Sequence, residues 1–367
     1  MSPPRLPLLV EGLKDPPGTL RLSNAQWALL IQQARAGRLL SRLAVLLDAA
    51  GDLRRVPAGP LHHLESSLVL ARSHEQAVRW EVGSIHDALR SAGIPVVLLK
   101  GAAYVMANLP AARGRWFSDV DVMVPRAALA DAEATLGRSG WIGTHADDPY
   151  DQRYYREWMH EIPPMLHERR KTTLDVHHSI LPITARLKPD ATKLFAAAVP
   201  IDGQDDLRVL APADMVLHSA THLFWDGEFH HGLRDLVDLD DLLRHFGARD
   251  PGFWQALVDR AFEMDLARPL HFGLRYAQRI LGTPVPDAVR DALRRAGPSP
   301  IVRPAMDALF RRGLMPEHPS CDDAFTPIAR WLLYVRGHYL RMPLRLLIPH
   351  LTRKTFRRAQ PAEKATA

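Results

Sequence analysis

Cysteine is almost missing from this chain: of 367 residues, Cys321 alone carries a thiol. A single cysteine excludes an internal disulfide framework and a Cys-rich zinc site, and it agrees with a reducing compartment. Aromatic residues are few, at 7%, and no motif joins them to basic residues in the manner of an RNA-binding surface, so nucleic acid is not an expected partner. No apolar run approaches the roughly 20 residues that span a bilayer. The opening MSPPRLPLLVEG lacks an apolar stretch followed by a small-residue cleavage site, so the expected compartment is the cytoplasm. Internal repeats are absent, and low complexity is confined to the tail AQPAEKATA, 359–367, which is expected to fray.

What is present is a large apolar fraction, 47%, enough for substantial cores in a chain long enough for two or three modules. The net charge of +6 is unevenly spread. From Arg330 to Arg358 the chain reads RWLLYVRGHYLRMPLRLLIPHLTRKTFRR, with Arg and Lys among apolar residues. Such a segment either packs on the protein with snorkelling arginines or lies on an anionic membrane. A peripheral position at the inner membrane surface therefore stands beside the cytoplasmic one.

Four regions are expected: helical 1–93, a catalytic core 94–210, helical 211–358, and the tail. Ser23 and Gln26 are spaced as a capping box ahead of WALLIQQARAGRLLSRLAVLLDAA, whose apolar residues recur at helical spacing. A second long helix is expected from Leu61 to Ser91, stopped by Ala92-Gly93-Ile94-Pro95. Within 211–358, ADMVLHSATHLFW and GLRDLVDLDDLLRHF carry helical apolar stripes.

The densest chemistry lies in LLKGAAYVMANLPAARGRWFSDVDVMV, 98–124, which reads as strand, Gly turn, helix, and a second strand bearing two carboxylates. Strand alternation puts Asp119 and Asp121 on one face and Val120, Val122 and Val124 on the other. Two acids on one face can share a divalent cation, and oxygen ligands suit Mg²⁺ or Mn²⁺. Further on, Thr172–His177 reads as a strand with Asp175 and His177 on one face. Residues 141–170, aromatic, His-rich and broken by Pro163-Pro164, read as either a hairpin or a substrate loop.

Lys100-Gly101, Arg115, Asp119-Val-Asp121 and the later Leu-Asp175-Val-His177, in that order, resemble the nucleotidyltransferase superfamily with the polymerase-beta type fold. More narrowly they are similar to a bacterial family of uncharacterised nucleotidyltransferases, some of which lie among genes for exopolysaccharide and cell-envelope synthesis. The resemblance implies an α+β fold, a small mixed sheet flanked by N- and C-terminal helical regions. It implies Mg²⁺ or Mn²⁺ on Asp119, Asp121 and Asp175, with Asp175 also a candidate general base. The donor would be a nucleoside triphosphate and the acceptor a hydroxyl on a small molecule, sugar or protein. Lys100, Gly101, Ala102 and Arg115 would meet the triphosphate, Gly101 through its bare backbone and the helix start behind it, with Arg113 close enough to substitute for Arg115. The superfamily commonly has Ser near the glycine. Here Ala102 removes that hydroxyl, and Lys100 is expected to supply charge in its place.

Two other readings follow from the residues. The Ala102 departure and the basic segment fit a catalytically degenerate accessory protein of envelope polysaccharide synthesis. His218 and His222, at i and i+4, with Asp235 would suit a His/Asp phosphohydrolase, but the tandem His-Asp pair of such sites is missing and a packed pair is the expectation. His230-His231 carries less signal still. Arg234, Asp235 and Asp238 are expected to form a salt-bridge network or to line the acceptor side of a cleft.

Overall fold

The computed structural model of the chain describes residues 6–144, 148–225, 227, 229–347 and 349; the expected frayed tail lies outside them. Four helices come first: α1 (Leu8–Lys14), α2 (Asn24–Ala36), α3 (Leu40–Ala49) and α4 (Ala58–Ser91). The Ser23 hydroxyl accepts from the Gln26 amide at 3.4 Å and the Gln26 side chain accepts from the Ser23 amide at 2.9 Å, so the capping box forms and fixes where α2 begins. Its apolar stripe Trp27, Leu30, Ile31 and Ala34 is buried. Helix α4 starts three residues before the expected Leu61, because Pro60 is tolerated in a first turn, where its missing N–H has no helical partner. Gly93, at φ +69°, turns the chain out of α4 toward the sheet.

The sheet has seven strands: β1 (Val96–Leu98), β2 (Asp119–Met123), β3 (Trp141–Gly143), β4 (Met165–His167), β5 (Thr173–His177), β6 (Val199–Ile201) and β7 (Gln204–Val209), in the order β3-β4-β5-β2-β1-β7-β6. It is mixed, with β2 parallel to β5 and β1 parallel to β7, while β1 and β2 run antiparallel. Between β1 and β2 lies α5 (Lys100–Met106), between β2 and β3 lies α6 (Leu129–Arg138), and α7 (Pro149–Arg153) with a π-helical turn at Tyr154–Trp158 stands between β3 and β4. The 141–170 stretch thus holds a strand pair, β3 against β4, with a long excursion between its strands. The hairpin β6–β7 turns at Asp202-Gly203, where Gly203 has φ +78°.

After α8 (Ala191–Ala197) and that hairpin, the chain is helical: α9 (Pro212–Trp225), α10 (Gly232–Arg249), α11 (Phe253–Glu263), α12 (Ala267–Tyr276), α13 (Asp287–Ala292), α14 (Arg303–Gly313) and α15 (Thr326–Arg341). The α+β architecture, a mixed sheet with helical flanks, is as expected. One connected apolar core runs from Leu9 on α1 through the sheet to Leu333 on α15.

Arg336 anchors α15 to this core. Its guanidinium donates to the Phe224 carbonyl at 2.8 Å and lies 5.3 to 5.6 Å from the ring centres of Phe272, Phe310 and Trp225. A desolvated cation over aromatic faces stabilises by roughly 2 kcal/mol. Arg336→Ala is therefore expected to cost about 2 kcal/mol in chemical denaturation, whereas exposed Arg345→Ala is expected to stay within about 0.5 kcal/mol.

Candidate active site

Strand pairing brings the acids together. Asp121 on β2 stands in register with Asp175 on parallel β5, and Asp119 is one pleat away on the same face. One oxygen from each of the three carboxylates lies within 4.8 Å of the others, close enough for a shared cation. Val120, Val122, Leu174 and Val176 fill the opposite face and are buried, so core packing fixes the register that aligns the acids.

The three acids differ in surroundings. Asp119 is half-buried and accepts from the Ser118 hydroxyl at 3.0 Å. Asp121 is 4% exposed and accepts at one oxygen from Lys100 Nζ at 2.9 Å and from His177 Nε2 at 3.0 Å. Burial alone would raise its pKa, but Lys100 and His177 outweigh burial and hold it well below the carboxylate range. Among the described residues no Lys, Arg or His is hydrogen-bonded to Asp175, and the charge of His177 offsets only part of its burial. Burial, then the charges of Asp121 and Glu161, push it up to about 7, and its Oδ1 is buried without a hydrogen-bond partner. A buried orphan acceptor facing two carboxylates is the environment a hard divalent ion would relieve, and the donor set fits Mg²⁺ or Mn²⁺.

Lys100 holds φ +43°, a left-handed backbone costing a non-glycine residue on the order of 1–3 kcal/mol. The turn carries its ammonium back to Asp121. The expected phosphate contacts are engaged within the protein: Lys100 with Asp121, and Arg115 with Asp238 of α10 at 2.8 Å. Both members of the latter pair are nearly buried, and the Arg115 guanidinium lies 5.1 Å from the Phe117 ring centre. Gly101 and Ala102 are buried. A Cβ on Gly101 would meet the Arg115 guanidinium and come within 2.8 Å of Phe117, so the glycine is required by the packing of Arg115. Gly101→Ala is accordingly expected to lower the thermal midpoint, with Arg115 displaced from Asp238. Arg113 is exposed, and its carbonyl accepts from Arg42 at 3.3 Å.

Arg234 pairs with Asp235 at 2.6 Å, beside Arg115 and Asp238, which gives the salt-bridge network expected of α10. His218 is 4% exposed, and burial followed by the charges of Lys100 and His222 holds it well below the usual imidazole range; a packed, neutral ring results. His230 is exposed and pairs with Glu317 at 2.9 Å.

Sequence reasoning placed His177 on the Asp175 face of its strand but did not single out His160 or Glu161, which the fold brings to it. His177 touches Asp121 through Nε2 and lies 3.4 Å from Glu161 through Nδ1. Burial lowers its pKa, but the bond to Asp121 and the charge of Glu161 outweigh this and raise it. The i, i+2 alternation of Asp175 and His177 was the available signal; His160 and Glu161 come from the excursion before β4, whose sequence has no period. Their backbone is pinned to the end of β5: His178 N donates to His160 O at 2.8 Å and Ile162 N to Val176 O at 3.0 Å.

No curated protein and no solved structure matches the chain. A family model described as uncharacterised nucleotidyltransferase matches residues 23–282, which takes in α2 through the end of the π-helical turn after α12 and so includes every acid of the site. With that match over most of its length, the chain belongs to the uncharacterised nucleotidyltransferase family.

Proposed function

We propose that the protein moves a nucleoside monophosphate from a nucleoside triphosphate to a hydroxyl of a small molecule, sugar or protein, with Asp119, Asp121 and Asp175 holding Mg²⁺ or Mn²⁺. The observation that supports this most is the register of Asp121 with Asp175, which gathers three carboxylates around a buried orphan oxygen. A divalent ion there would offset the charge that accumulates on phosphate oxygens and lower the pKa of an attacking hydroxyl. The residues' own part is preorganisation. Lys100 and His177 occupy one oxygen of Asp121 and fix its plane, Ser118 orients Asp119, and the buried valines prevent the strands from slipping. The Asp175 carboxylate is the candidate acceptor for the hydroxyl proton.

Transfer from [α-³²P]-labelled triphosphates, compared with γ-labelled ones and using cell-extract fractions as acceptor, tests the reaction class. Label passing to an acceptor from the α position only is expected; passage from the γ position would make the protein a kinase.

Lys100 supplies a further test. In Lys100→Met, Asp121 loses its ammonium partner in a buried setting, a change that costs about 3–5 kcal/mol when nothing replaces the charge. Saturating Mg²⁺ is expected to restore more of the thermal midpoint in Lys100→Met than it adds to the wild type. Equal Mg²⁺ shifts in both would remove the cation from Asp121.

One surface favours action at an anionic membrane. Phe325 just ahead of α15, then Ile328, Trp331, Leu332, Val335 and Tyr339 along one side of it, recur at helical spacing and are exposed, Trp331 at 61%. No Asp or Glu occurs from 324 to 362, and besides Arg330, which pairs with Asp322 at 2.9 Å, the stretch carries Arg341, Arg345, Arg353, Lys354, Arg357 and Arg358. No described helix is long and apolar enough to cross a membrane, so the fit is to a surface, with aromatic and aliphatic side chains entering the headgroup region and arginines meeting lipid phosphate. The protein is expected to sediment with vesicles containing phosphatidylglycerol and not with pure phosphatidylcholine, and Ile328→Ser/Trp331→Ser to abolish this. A dimer that dissociates in the same variant, without vesicle binding, would assign the stripe to a second copy of the chain instead.

A further inference from the structure

We infer that His160, Glu161 and His177 form a second divalent-cation site, of the zinc class, beside the acid trio. One ligand atom from each lies within 4.8 Å of the other two. His177 is 2% exposed. The Asp121 carboxylate can only accept, so the hydrogen bond at 3.0 Å places the ring proton on Nε2. On the neutral ring this leaves Nδ1, buried without a hydrogen bond and 3.4 Å from Glu161 Oε2, as the nitrogen on which a cation would replace a proton. A ring that donates to a carboxylate through one nitrogen and presents the other to a cation is the recurrent arrangement of metal-bound histidine. The His160 ring stands 5.2 Å from that of His177, and its Nδ1 is likewise buried and without a hydrogen bond.

The site is built by backbone pairing as well as by side chains. Glu161 bridges antiparallel to His177, and the amide bonds from His178 to His160 and from Ile162 to Val176 flank that bridge. Two imidazoles and one carboxylate, with no thiolate, are the donor set of open zinc sites and suit Zn²⁺ or Co²⁺ over Mg²⁺. The two sites meet at Asp121. A cation on His177 Nδ1 would hold the ring's N–H on Asp121 and so keep that carboxylate oriented toward Asp119 and Asp175.

The test uses the full-length protein, stripped with chelator and titrated with Zn²⁺ against a chromophoric competitor, with Co²⁺ absorption as a second readout. Wild type is expected to bind one Zn²⁺ with visible Co²⁺ bands of nitrogen ligation. Glu161→Gln and His160→Gln are expected to weaken Zn²⁺ by at least about 10-fold, the scale set by losing even an outer partner, while Asp119→Asn leaves it unchanged. Metal-free circular dichroism and thermal midpoints establish that the variants are folded. Zn²⁺ affinity indifferent to both substitutions, or lost in Asp119→Asn alone, would overturn the site and leave the trio as a hydrogen-bonded relay between Glu161 and Asp121. Nucleotide transfer does not enter the readout, so this result stands apart from the outcome for the proposed reaction.

Discussion

Asp119→Asn is expected to lower nucleotidyl transfer by on the order of 10²–10³-fold, the scale of removing one preorganised stabiliser of developing charge, about 2.7–4 kcal/mol in the barrier. Asparagine keeps the shape and can still accept from the Ser118 hydroxyl, so the change is confined to charge. Because Asp119 is half-buried at the start of β2, with no buried cation bound to it among the described residues, the stability cost should stay near about 0.5 kcal/mol. Asp121→Asn is expected to lose at least as much activity and also stability, since Lys100 and His177 would both lose an ionised partner. Rates with labelled triphosphate, beside denaturant midpoints, separate the two. Wild-type rates in a folded Asp119→Asn protein would remove Asp119 from the reaction.

A stability effect as large as that of Lys100→Met is expected at α10. Asp238→Ala strands the Arg115 guanidinium in a nearly buried position, and breaking a buried pair by removing one partner typically costs about 3–5 kcal/mol. Replacing both, as in Arg115→Met/Asp238→Leu, should recover most of that loss, because the pair's desolvation cost disappears with its attraction. The double variant also bears on the sequence-based expectation that Arg115 meets phosphate. If Arg115 is structural, the stable double variant keeps its affinity for nucleotide; a folded double variant with much weaker binding would show that Arg115 leaves Asp238 to meet the triphosphate.

Much of the site was legible because it is local. An Asp-x-Asp strand with valines between the acids specifies which face carries charge, and an apolar run ahead of a Gly-containing turn specifies a buried strand leading into a helix. The same alternation put Asp175 beside His177. Ser23 and Gln26 marked the start of α2 because capping involves groups three residues apart. What was hidden is nonlocal. The partner of Arg115 is 123 residues away, and no spacing rule joins them. Lys100 was read as a free charge for phosphate, and its left-handed backbone and bond to Asp121 follow from the way β1 meets β2. His160 and Glu161 sit in an aperiodic excursion that becomes informative only once its backbone pairs with β5. Strands β3, β4 and β6, three residues each, are too short for alternation to show.

Thermal unfolding in the presence of ATP, GTP, CTP or UTP, with and without Mg²⁺, tests the proposed cation site on the three acids most directly when wild type is run beside Asp119→Asn/Asp121→Asn. A triphosphate at about 100 times its dissociation constant should add roughly 2.7 kcal/mol of stability to the form that binds it. The expected result is a shift that requires Mg²⁺ and a triphosphate together and is lost in the variant. Folded wild-type protein that shows no shift with any triphosphate, or the same shift in the variant, would contradict a nucleotide site built on these carboxylates.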